Sequence, residues 1–79
     1  MTTIRQVQAL RLESREAGDW LQRIVCDIAL DEHEASSVDD YTSAESKWEC
    51  KRLAEILAMT QAQAWSECAR MIANTEAQS

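Results

Sequence analysis

A chain of 79 residues with no proline and a single glycine has room for one domain and little material for turns or strands, so its composition predicts an all-α fold. The formal charge of −6 works against direct binding of nucleic acid, which needs clustered lysine and arginine to displace counterions. No apolar run is long enough to cross a bilayer, and Met1-Thr2-Thr3-Ile4-Arg5 lacks the apolar centre of a signal peptide, which predicts a soluble, cytoplasmic protein.

The first element opens at Thr3, whose spacing to Gln6 fits a capping box. From there Val7, Leu10, Ser14, Ala17, Leu21, Ile24 and Ile28 repeat in alternating steps of three and four, the period of a helix with one buried seam. Gly18-Asp19 offers a break, with Gly18 ending one helix and Asp19 capping the next through Asp19-x-x-Gln22. The seam nevertheless keeps phase across the glycine, which favours one continuous helix over about 3–34; a three-helix chain broken at Gly18-Asp19 is the alternative. Residues 35–41, Ala-Ser-Ser-Val-Asp-Asp-Tyr, interrupt the period and form the expected turn. Thr42 and Glu45 make a second capping box, which opens a helix expected over about 42–74 with a frayed tail at 75–79. Two such helices joined by a short turn form an antiparallel hairpin in a single domain spanning 1–79.

The second helix carries two apolar sets on nearly opposite sides: Leu53, Ile56, Leu57, Ala64, Cys68 and Met71, against Tyr41, Ala44, Trp48, Met59, Ala62 and Ala69. One hairpin partner covers only the first. A domain of this size buries only about 60% of its unfolded surface, so the second set is expected to pair with another copy, making a dimeric four-helix bundle, or with a different protein. Tyr41, Trp48, Met59, Ala62, Trp65 and Ala69 are the candidate partner or dimer interface, with Trp48 the first choice as anchor because tryptophan concentrates at interface centres.

The charge is concentrated at the turn, where Asp31, Glu32, Glu34, Asp39, Asp40, Glu45 and Glu49 are opposed only by Lys47 and His33. Asp31, Glu32 and Glu34 sit at the negative end of the first helix, where acids cost stability. Acids kept there suit a surface aimed at a basic groove on another protein, which makes Asp31, Glu32, Glu34, Asp39 and Asp40 the candidate partner-binding residues.

No catalytic, cofactor or metal residues emerge. Asp31, Glu32, His33 and Glu34 are adjacent, and neighbouring helical positions diverge too far to converge on one ion. No Ser or Cys shares a face with His33 and an acid, and there is no glycine-rich phosphate loop, so an enzyme is not expected. Cys26, Cys50 and Cys68 are an odd set without a CxxC pair and read as reduced thiols, with Cys68 on the main apolar face and Cys50 at its edge acting as small hydrophobes.

In size, acidity and lack of catalytic groups the chain resembles the small accessory inhibitors encoded by phages and plasmids, some of which occupy the nucleic-acid site of a host protein. That resemblance implies a binding module that homodimerises and inhibits or modulates a larger protein, in a host cytoplasm if the chain is phage-encoded. Two alternatives accompany it: a structural subunit or assembly chaperone of a larger complex, and a dimeric nucleic-acid-binding hairpin using Arg5, Arg11, Arg15 and Arg70.

Overall fold

The computed structural model describes residues 1–32 and 47–78, with the backbone alone over 47–50. The described residues form four helices and no strand: α1 Ile4–Ala17, α2 Trp20–Ala29, α3 Lys47–Leu57 and α4 Gln61–Gln78. The all-α expectation holds, and each of the two long helices read from the sequence is divided by a corner. The connector at 35–41 and the Thr42-Glu45 capping box lie outside the described residues.

The first corner corrects the continuous helix over 3–34. Thr3 opens α1 with the expected capping box, its hydroxyl accepting from the Gln6 N–H while Gln6 accepts from the Thr3 N–H. At the far end Gly18 takes φ 73°, the left-handed conformation that lacks a steric penalty only for glycine. This lets the Gly18 N–H reach the Arg15 carbonyl at 3.3 Å and the Asp19 N–H reach the Ser14 carbonyl at 2.8 Å, the paired bonds of a Schellman turn. Asp19 then caps α2 by accepting from the Gln22 N–H.

This break also changes which residues of α2 are buried. Val25, Cys26 and Ala29 join Ile24 in the core, while Leu21 and Ile28 are only partly buried and Ala17 is exposed. The end of α2 repeats the Schellman pattern with Asp31 at φ 57°, the Asp31 N–H bonding the Ile28 carbonyl and the Glu32 N–H the Asp27 carbonyl. Helical geometry therefore stops at Ala29, short of the expected residue 34.

The second corner corrects the continuous helix over 42–74. α3 ends at Leu57, and Thr60 caps α4 in a full reciprocal box: its hydroxyl accepts from the Gln63 N–H at 3.2 Å, and the Gln63 side chain accepts from the Thr60 N–H at 2.9 Å. Met59 and Ala64 occupy the positions that flank such a box as a hydrophobic staple, and Met59 packs against the core cluster that contains Ala64. The expected frayed tail is likewise replaced: α4 continues to Gln78, with the Thr75 hydroxyl donating back to the Met71 carbonyl.

Among the described elements α2 is central, packing on both α1 and α4 and to a lesser degree on α3. A single core collects Val7, Leu10, Ile24, Val25, Cys26, Ala29, Leu53, Ile56, Ala64 and Cys68 from all four helices. Each fully buried large aliphatic side chain contributes about 1.5–3 kcal/mol. Ser14 is buried with them; its hydroxyl donates to the Leu10 carbonyl and accepts from Gln22 Nε2 at 2.8 Å, so the polar atom at the α1–α2 contact is satisfied.

Candidate interaction surface

The start of α1, the turn that ends α2 and the start of α4 shape an open groove of about 480 Å³. The first turns of α1 supply Ile4 and Gln8, the end of α2 supplies Ala29, Leu30 and Glu32, and the start of α4 supplies Gln61, Ala62 and Trp65. Its geometry follows from the local sequence: the Thr60 cap sets where α4 begins, and the left-handed Asp31 turns the chain so that Glu32 borders the groove. Gln61 Nε2 donates to the Ala29 carbonyl at 3.2 Å, tying the two walls together and occupying a carbonyl at the end of α2. Ile4 stands at the lip with 61% of its surface exposed, and Trp65 is partly buried against the core.

Glu32, Ala62 and Trp65, three of the residues selected from sequence, thus meet at one place. Ala69 is half-buried on α4, and Met59 is turned toward the core because the helix breaks beside it. The described members of the second apolar set therefore do not form one stripe: Met59 packs on the core, whereas Ala62 is exposed in the groove. Asp31 lies in the turn. Glu34, Asp39, Asp40 and Tyr41 lie outside the described residues, as does the side chain of Trp48.

The electrostatics of the rim explain part of the acidic turn. Arg11 of α1 reaches across to Asp27, with Nε 2.6 Å from Oδ1, and also pairs with Glu32. Glu32 therefore has a cation to offset its unfavourable place beyond a helix C-terminus. Arg52 of α3 lies 3.8 Å from Glu67 of α4, and Arg70 donates to the same carboxylate. The Arg70 hydrogen bond, with the nearby Arg52 charge, holds the Glu67 carboxyl below its ordinary range despite some desolvation. Arg11 and Arg70, two of the four arginines of the nucleic-acid reading, are thus engaged by carboxylates.

Sequence reading missed Ile4, Leu30 and Gln61 as groove residues. The available signal was Thr60-x-x-Gln63, the same motif read correctly at Thr3, since a helix start there makes Gln61 and Ala62 first-turn residues. It also missed Cys26 as a core residue. Among the described residues no group of three or more His, Cys, Asp or Glu side chains is placed to hold a metal ion, and no helix is long and apolar enough to cross a membrane. No protein-family model, curated protein or solved structure matches the chain.

Proposed function

We propose that the protein is a small acidic binding module, acting in the cytoplasm, that attaches to a larger protein and modulates it without catalysing a reaction. The observation that supports this reading is the groove between α1, α2 and α4, where an indole, an exposed isoleucine and a small alanine lie beside a carboxylate. Apolar walls with a few polar groups at the edge are the usual form of a site that seats a partner side chain. The proposed occupant is an apolar side chain followed by a basic residue that competes with Arg11 for Glu32. A second copy of the chain is the other occupant to be tested, and it would carry the expected homodimer.

The test places a photo-crosslinking amino acid at Ala62 in the groove and, in a second protein, at exposed Ala54 on α3. The reading expects a discrete adduct from position 62 alone, lost when Trp65→Ala and Glu32→Gln are combined. Identical adducts from both positions, or an adduct indifferent to those changes, contradict it. An adduct of twice the chain mass assigns the groove to self-association.

A further inference from the structure

Cys26 of α2 and Cys68 of α4 face each other across the contact between their helices, with Sγ atoms 3.9 Å apart and neither residue exposed. Both are free thiols. They are 42 residues apart in sequence, so the fold alone brings them together. A disulfide needs its sulfurs at about 2.05 Å, a closure of less than 2 Å that side-chain rotation and a small helix shift can supply. We propose that Cys26 and Cys68 form a redox-responsive pair, which a low-molecular-weight disulfide converts to an intramolecular disulfide stapling α2 to α4.

The chemistry is thiol–disulfide exchange. One cysteine, as its thiolate, attacks a sulfur of glutathione disulfide, breaking that bond and releasing one glutathione. The second cysteine, losing its proton to solvent, attacks the protein sulfur of the mixed disulfide and releases the second glutathione. Two protein thiols are oxidised by two electrons, and one glutathione disulfide is reduced to two thiols. In the closed bundle both sulfurs are fully buried, so a glutathione disulfide cannot reach either of them while α4 is docked. Exchange therefore proceeds through transient separation of α4 from α2, and redocking brings the second sulfur to the first. The staple lies one helical turn from Ala29 and Trp65 of the groove, so oxidation fixes the spacing of the walls that those residues form.

The experiment uses the full chain carrying Cys50→Ser, equilibrated in glutathione buffers of graded ratio, acid-quenched, and read by mass for the loss of two hydrogens. The parental chain, digested and mapped in parallel, gives the identity of the linked pair. Because the cross-link closes a long loop, the equilibrium constant for the disulfide is expected to be on the order of 100-fold greater in buffer than in concentrated guanidinium chloride. The oxidised protein is expected to melt about 10 °C above the reduced one. An equilibrium constant no greater in buffer than in denaturant, glutathione adducts as the end product, or pairing through Cys50 in the parental chain would overturn the proposal.

Discussion

The two corners of the molecule turn the chain by different physical means. At the first, Gly18 supplies a left-handed residue, Asp19 caps the next helix, and the partly buried Ser14–Gln22 hydrogen bond holds the helices across the turn. The second has no glycine. Its α3 end is closed by the Ala58 N–H on the Ala54 carbonyl and the Met59 N–H on the Ile56 carbonyl, after which Thr60 and Gln63 cap α4 reciprocally and Met59 turns inward. A corner can thus rest on backbone permissiveness or on side-chain capping with an apolar anchor. Only the first kind is announced by composition.

The second corner is most sensitive at Ile56, an apolar anchor that is 1% exposed and sits in the last turn of α3. Ile56→Ala is expected to destabilise the protein by about 3 kcal/mol, read as a lower urea midpoint with an unchanged slope. If the anchor were dispensable, the loss would be that of a surface site. Gly18→Ala comes next. Nothing lies within 4 Å of where its Cβ would stand, so the expected loss of about 1–2 kcal/mol is a backbone effect alone. Thr60→Ala is expected to cost about 1 kcal/mol through the lost cap, with little further loss when Gln63→Ala is added, because the two side chains act as one device. A loss far below that of Gly18→Ala would show that the second corner rests on Met59 and Ile56 rather than on its cap.

The smallest effect concerns the ion pairs of Glu67, one within α4 from Arg70 and one from Arg52 of α3. Because Glu67 has a lowered pKa in the folded protein, its contribution is present above the ordinary carboxylate range and is lost as pH falls through the lowered value. Pairs this exposed are screened by solvent and contribute little. Thermal melts from pH ~6 to ~3 should therefore show a slightly shallower acid loss for Glu67→Gln than for the parent. An equal slope would show that Arg52 and Arg70 contribute nothing through Glu67.

Helix content and the α1 cap were legible because they depend on short-range chemistry: the absence of proline, the period of the apolar residues and the Thr3-x-x-Gln6 spacing. The Gly18 break was legible as an alternative but was outweighed by the seam, whose phase survives the glycine although the chain does not use it. Ile28 extends that pattern on paper, whereas in the fold Cys26 and Ala29 are the buried residues. The Thr60 cap was overlooked because it lies inside a continuous apolar period, where a capping residue looks like an ordinary polar position. The partners of Glu32 were hidden for a different reason. Arg11 is 21 residues away, and only the antiparallel placement of α1 and α2 joins them. An acid that looks unfavourable along its own helix thus has a cation of the same chain facing it.

The chain turns a corner at residues 58–60 that carries Met59 against the core and leaves Ala62 and Trp65 in the groove. Backbone carbon and amide-proton NMR on the 79-residue chain tests this most directly. The account predicts that helical Cα shifts lapse over 58–60 and resume at Gln61, with nuclear Overhauser contacts linking the Met59 methyl to core residues of the same chain. Unbroken helical shifts from residue 47 to residue 73, with the Met59 methyl free of such contacts, would contradict it.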